Sequence, residues 1–592
     1  MIDIKKNRKI SLLIAVMVVL GIGMLSVFRY QFSFSTNDDV MFKAILRGDI
    51  TGKPDGHLIF TMYPLGLLLK SLYVLNNSIP WYDGFVLLLH FLGYFLVILR
   101  TGKVLSKKKT GVMVLGEIIS GIVLLSLDLP YLILHQWTSF AAFLFAVALF
   151  YYFTEGDETK ERIKGYFVIG LFLILSFWIR KEVFLMGMPL FGLAMIHRFG
   201  RKNKIPRDKY VFGAILLILL LLSFVFDKMA YSSEEWKTFQ SYNKARSDVY
   251  DFYGLPPYGE TTEEYEKRNL KESDLYPFGT WDLAMFEDCY EDNMVSFAQF
   301  SKGYWNRLHF QKWALRYTFN LELKYFTGEW NTVLAPASVI LSVIGIIVFS
   351  VLKKRKAAIL LTLAFCYELA FVYYCLFFGR FPERVAYGFF LLHILFAICV
   401  FLREIAKAGE EKKSKQSSKT AFTVTLIGLF ILLPVLALRI YSTDKTVKKQ
   451  DEKLKEWEEI NSYFANHPQN MYYLQTNDFS TYGEKMFRGE TFEQNNYLRL
   501  GSWIAGGPLH KKQLENKGTE PWNRILRDET VLFVESEHID SQWITNFYEG
   551  RGISVKVEQV DELVVSDNQK FPVYSIRENI GTDSAEDLTI EK

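Results

Sequence analysis

The chain has 592 residues, 50% of them hydrophobic and 16% aromatic, with a mean hydropathy of +0.11. That balance excludes an ordinary soluble domain and a disordered chain, and it places the protein in the membrane class. A net charge of +4 gives no reason to expect a nucleic-acid partner. The four cysteines, Cys289, Cys366, Cys375 and Cys399, form no CxxC pair, so neither a zinc site nor a disulfide framework is expected.

The N-terminus, "MIDIKKNRKISLLIAVMVVLGIGMLSVF", sets a basic head before about twenty apolar residues, enough to span a bilayer. It carries no small-x-small cleavage site and reads as a signal anchor. Further apolar runs predict spans over residues 80–99, 111–127, 131–153, 165–180, 183–198, 210–226, 332–352, 357–377, 385–402 and 421–441. With the first span at 10–29, that makes about eleven transmembrane helices in a polytopic α-helical protein. Residues 57–75, "HLIFTMYPLGLLLKSLYVL", are apolar enough to add a twelfth.

Charge decides the twelfth. Basic clusters lie at residues 5–9, 100–109, 198–209, 353–356 and 407–419. If 57–75 does not cross, all of them face the cytoplasm, as the positive-inside rule requires. Residues 57–75 are therefore expected to lie as a helix along the outer interface. The N-terminus is then cytoplasmic and the C-terminus extracytoplasmic, in a multi-pass protein of the cell membrane. Lysine richness and the lack of a eukaryotic retention signal point to a bacterium.

Three external regions follow from this topology. Residues 31–79 form the first external loop, and 227–330 an aromatic-rich insertion. Residues 442–577 are expected to form an extracytoplasmic α/β domain: "MYYLQTN", "TVLFVES", "ISVKVEQV" and "FPVYSIREN" read as strands, and "DSQWITNFYEG" as a helix. No Gly-rich phosphate loop occurs in it. The acidic residues 578–592 read as a disordered tail.

Ionic groups gather at the same face. Asp38 and Asp39 follow the first span. Arg180, Lys181 and Glu182 fill a connection of almost no length, and Arg380, Glu383 and Arg384 lie between the ninth and tenth spans. Charges at membrane depth are costly and tend to be paired or functional. Arg180 pairing with Glu182, and Arg384 with Glu383, is the structural alternative; the functional one is an anion site, since guanidinium forks suit phosphate. Asp128, His135, Glu368 and His393 are further ionisable residues within or beside spans.

This layout resembles the GT-C superfamily of integral-membrane glycosyltransferases. In that family a long external loop with an acidic motif follows the first helix, and helices of the loop lie along the outer face. "NDDVMF" (37–42) resembles the motif, residues 57–75 the interfacial helix, and residues 1–441 the transmembrane module. The resemblance implies an inverting transferase that moves a sugar from a polyprenyl-phosphate-linked donor to a glycan, lipid or protein acceptor. It implies Asp38 or Asp39 as base, with Arg180, Arg380 and Arg384 on the phosphate and Lys181 and Glu182 beside them. His57 is assigned to either sugar. No cofactor is assigned; the family includes members with and without a divalent metal, and the adjacent aspartates lack a third ligand. A lipid-linked glycan transporter or flippase, and another surface-polysaccharide polymerase or acyltransferase, are the alternatives.

Overall fold

The computed structural model describes residues 4–154, 159–199, 206–254, 256, 261–264, 267, 291–309, 312–326, 333–378, 380–408, 415–474, 484–487, 496–500, 503–518, 522–535, 541–549, 552–565 and 569–579. Cys289 lies outside them, as do residues 580–592 of the expected tail 578–592; Glu578, expected to begin that tail, is instead the last residue of a strand. Among the described residues nine helices are long and apolar enough to cross a membrane.

Helix α1 (Ile4–Arg29) leads through a short strand β1 (Ser33–Phe34) into α2 (Asn37–Arg47), which carries the acidic pair. Helix α2 ends at Gly48, whose φ of 88° suits glycine alone; a Cβ there would stand 2.4 Å from the Lys53 backbone. Helix α3 (Tyr63–Leu75) spans 13 residues, about 20 Å at 1.5 Å per residue and too short to cross a bilayer. Gly66 in α3 meets the Gly56 backbone so closely that a Cβ would overlap the Gly56 carbonyl oxygen.

The bundle continues with α4 (Trp81–Leu105), α5 (Thr110–Ile133), strand β2 (Leu134–His135) and α6 (Trp137–Thr154). The expected spans 111–127 and 131–153 are corrected here. Helix α5 runs on to Ile133, so Asp128 lies inside it, and His135 precedes α6 rather than lying within it. The break occurs because Leu134 and His135 extend to pair in parallel with Ser33 and Phe34, and the His135 carbonyl accepts from the Ser35 N–H at 2.8 Å.

Helix α6 is buried along its whole length, with α4, α7 (Thr159–Ile179), α8 (Lys181–Phe199) and, later in the chain, residues 383–408 packed around it. Its sequence, rich in Ala and Phe, has no polar face to turn outward. Its last carbonyls are met by arginines from three neighbours: Arg198 Nη1 donates to Tyr152 O (2.5 Å), Arg403 Nη1 to Phe153 O (3.2 Å), and Arg100 Nη2 to Thr154 O. Cations at a helix C-terminus complement its dipole and satisfy carbonyls that have no intrahelical donor.

Helix α9 (Arg207–Ala230) follows, then α10 (Glu234–Ser247), a π-helical turn Asp248–Tyr253, α11 (Glu291–His309) and α12 (Lys312–Phe326). Helices α13 (Leu334–Val351), α14 (Arg355–Phe377) and α15 (Glu383–Ala408) complete the apolar set. Of the eleven expected spans, 183–198 falls on α8, which is not among the nine helices. The eleventh, 421–441, falls within α16 (Lys415–Asn466), a helix of 52 residues. Helix α16 passes through residue 442, so the expected boundary between module and tail lies inside a helix.

The tail forms one five-stranded sheet from β3 (Met471–Leu474), β4 (Tyr497–Arg499), β5 (Val531–Val534), β6 (Val555–Val564) and β7 (Lys570–Glu578), in the order β4-β3-β5-β7-β6. Strand β3 is parallel to β4 and β5; β7 is antiparallel to β5 and β6. Alternate side chains point to opposite faces. Tyr472 and Val534 pack under Trp457, Ile460 and Phe464 of α16. Tyr473 and Phe533 pack under Trp543 and Phe547 of the helix Gln542–Glu549. The five sequence-predicted elements form; strand β4 and the helix Pro508–Lys517 are additions.

Candidate functional site at the acidic pair

Strand pairing puts the acidic pair at the N-terminus of the central helix α6. Asp39 is fully buried. It accepts hydrogen bonds from Tyr82 OH (2.8 Å), Thr36 Oγ1 (3.2 Å) and the Trp137 backbone N–H (3.3 Å). His135 Nε2 lies 3.3 Å from Asp39 Oδ1. A carboxylate at a helix N-terminus is stabilised by the dipole, so α6 carries an anion at one end and three arginines at the other.

Asp38 is placed differently. It is half-buried and accepts from the Trp137 indole Nε1 at 3.2 Å. Burial and then the neighbouring charge of Asp39 push its carboxyl above the usual range, against the pull of that N–H and of Arg384 and Arg180. One tryptophan thus holds both aspartates, Asp39 through its backbone and Asp38 through its ring.

Three arginines share this neighbourhood. Arg180, between α7 and α8, lies with its guanidinium carbon 4.5 Å from the Trp137 ring centroid, a cation–π contact. Its Nε is 3.0 Å from Glu182 Oε2, so the expected Arg180–Glu182 pair forms. Burial lowers the Arg180 pKa, and the charges of Arg384 and Arg380 act in the same direction. Arg380 Nη1 is 2.8 Å from Asp251 Oδ1. Arg384 is half-buried in the first turn of α15. Among the described residues its guanidinium has no carboxylate within ion-pair distance. The Glu383 carboxylate instead accepts from Tyr131 OH at 3.4 Å.

Two predicted residues stand apart from this cluster. Lys181 is exposed, and its charge bears on Asp227 near the end of α9. His57 lies in an aromatic cage, stacked on Trp236 (4.9 Å) with Tyr63 (4.7 Å) and Tyr231 (5.2 Å) beside it. Its Nδ1 is 2.6 Å from Asp55 Oδ1, and Asp55 Oδ2 accepts from Lys512 Nζ at 2.6 Å. Burial pushes the Asp55 carboxyl up, but the hydrogen bonds from His57 and Lys512 hold it well below the usual range.

The tail reaches the site at two places. Residues 484–487 form an antiparallel bridge to β1: Phe34 N donates to Glu484 O (2.7 Å) and Met486 N to Phe32 O (2.8 Å). Beneath it Lys43 of α2 is buried between Glu484 (3.1 Å) and Asp83 (3.3 Å). The second contact is Trp503, whose ring meets Phe60 (4.8 Å) and Phe42 (5.9 Å). Both phenylalanines also touch Trp137. The buried indole N–H of Trp503 has no acceptor among the described residues.

No protein-family model, curated protein or solved structure matches the chain.

Deeper in the bundle, Asp128 accepts from His90 Nε2, Tyr387 OH and Tyr94 OH, the last at 3.0 Å. The His90 ring is enclosed between Phe143 (4.3 Å) and Phe140 (5.5 Å). Among the described residues no group of three His, Cys, Asp or Glu side chains converges as a metal site would. Sequence reasoning missed Trp137, Tyr82 and Trp503. Aromatic residues at helix starts are the signal for the first two. Trp503 has none, because its place depends on docking of the tail.

Proposed function

We propose that the chain is a membrane glycosyltransferase of the GT-C kind, taking sugar from a polyprenyl-phosphate-linked donor at the outer face of a bacterial membrane. The observation that carries this reading is the juxtaposition of a half-buried aspartate, Asp38, with a guanidinium, Arg384, that has no carboxylate partner among the described residues. A carboxylate with a raised pKa suits proton transfer near neutral pH. A cation beside it suits a leaving phosphate.

In the proposed reaction Asp38 takes the proton of an acceptor hydroxyl as its oxygen attacks the anomeric carbon. The bond from that carbon to the lipid phosphate oxygen breaks, and its electron pair leaves with the phosphate. Charge on the phosphate grows as the bond breaks, so Arg384 and Arg180 stabilise the transition state more than the bound donor. Attack from the face opposite the phosphate inverts the anomeric centre. Asp39, saturated by three donors, is assigned to positioning: it fixes Trp137, which in turn holds Asp38. His57 and Lys181, which stand apart from the aspartates, and Glu182, which pairs with Arg180, are given no step in it, and the acceptor class is left as glycan, lipid or protein.

The reading is tested by assaying transfer from a radiolabelled polyprenyl-phosphate sugar by the full chain in lipid nanodiscs, against Asp38→Asn and Arg384→Ala. Transfer that depends on both residues supports it. Equal turnover by all three proteins, or none by the wild type with any such donor, sinks it.

A further inference from the structure

Arg380 is the one arginine of the three whose counter-ion comes from a distant part of the chain. Its partner Asp251 lies on the π-helical turn Asp248–Tyr253, and the next residue of that turn, Phe252, places its ring centroid 4.9 Å from the Arg380 guanidinium carbon. A π-helical turn is rare and is found frequently at functional sites. This one is held at both ends. Ser247 Oγ donates to Asp251 Oδ2 at 2.6 Å, leaving Oδ1 for the arginine. At the far end the Gly254 carbonyl accepts from Ser301 Oγ (2.5 Å) and Trp305 Nε1 (3.3 Å).

The ion pair itself is close but part-exposed. The side chains of Arg380 and Asp251 are 25% and 28% exposed, a setting in which such a pair contributes little and exchanges readily. A phosphate group offers more oxygens to the guanidinium fork and makes stronger charge-assisted bonds. Glu182 also screens a guanidinium, but it lies two residues from Arg180 and can leave by a side-chain rotation. Asp251 can leave only if its turn shifts or its side chain abandons Ser247.

We propose that Asp251 occupies Arg380 as a resident stand-in for a phosphate group. An incoming lipid phosphate, already attracted by Arg384, displaces it, and the turn Asp248–Tyr253 is released from Arg380 as the donor binds. This rests on the reading that the arginine cluster takes the donor phosphate, and it makes Asp251 an internal competitor that sets donor affinity.

The test uses undecaprenyl phosphate as the probe, titrated into the detergent-solubilised full chain. Asp251→Asn, close in shape to the native residue, should bind it about two- to fivefold more tightly than wild type, the gain expected from removing a part-exposed ion pair. The gain should vanish in the Arg380→Ala background, and Asp251→Glu, which keeps the charge, should not show it. Binding by Asp251→Asn equal to or weaker than wild type, while Arg384→Ala weakens binding, overturns the stand-in and leaves the phosphate reading intact. Binding that is the same in wild type, Arg384→Ala and Asp251→Asn overturns both.

Discussion

The indole Nε1 of Trp137 lies 3.2 Å from Asp38 Oδ2, while the backbone N–H of the same residue lies 3.3 Å from Asp39 Oδ2. Two adjacent carboxylates are thereby held apart in role by one residue.

Asp38→Asn should abolish transfer, a loss of about 10²- to 10⁴-fold for a general base, yet should not lower thermal stability. The sign follows from linkage. Burial and Asp39 raise the folded-state pKa of Asp38, so its ionisation penalises the folded state as pH rises through the unfolded and then the folded pKa. A neutral side chain removes that penalty at pH 7. Thermal melts and turnover on the same preparations check both halves. The acidic limb of the wild-type pH profile should lie above the usual aspartate range for the same reason.

Asp39→Asn should act the other way on stability. The amide nitrogen replaces one of the two oxygens, so either Tyr82 OH, which donates to Oδ1, or Thr36 Oγ1 and the Trp137 N–H, which donate to Oδ2, lose their acceptor. Each buried donor left unsatisfied costs about 1–3 kcal/mol. A lowered melting temperature is expected, and an unchanged one would count against the positioning role.

Trp137→Phe keeps an aromatic ring beneath Arg180 but removes the N–H from Asp38. The N–H favours the ionised carboxylate, so its loss should move the acidic limb of the activity profile to higher pH. Turnover at the plateau should fall less than in Asp38→Asn.

Lys43→Met should destabilise the folded protein by about 3–5 kcal/mol, because it leaves the buried Asp83 and Glu484 carboxylates without their cation. A companion variant, Lys43→Met with Glu484→Leu and Asp83→Asn, should recover much of the loss. Chemical or thermal unfolding in detergent measures it.

Asp55→Asn should weaken the seat of the tail on the first loop. The folded-state pKa of Asp55 is depressed, so its stabilising contribution is present above the unfolded pKa and is lost as pH falls through the folded value. The stability difference from wild type should therefore be full at pH 7 and shrink only under strongly acidic conditions, as read by limited proteolysis of the tail.

Much of this architecture is legible in the residues themselves. Apolar runs near twenty residues place the long helices because burial in lipid requires that length, and alternating β-branched and aromatic runs place β3, β5, β6 and β7. "NDD" makes α2 stand out in the sequence, and so do Arg180, Arg380 and Arg384, because charges near membrane depth are costly. What distinguishes Asp38 from Asp39 is set largely by groups far away in sequence: Tyr82 and the Trp137 backbone, with Thr36 nearby, donate to the second aspartate, while the first is left half-exposed. The same holds for Arg384, which a sequence would pair with adjacent Glu383 and which has no carboxylate partner among the described residues, and for Arg380, which pairs with Asp251. Side-chain identity sets the available charge and hydrogen-bonding capacity locally. Desolvation and partner geometry are properties of the packed chain, so only the tertiary structure decides which carboxylate is free to take a proton and which guanidinium is free to take an anion.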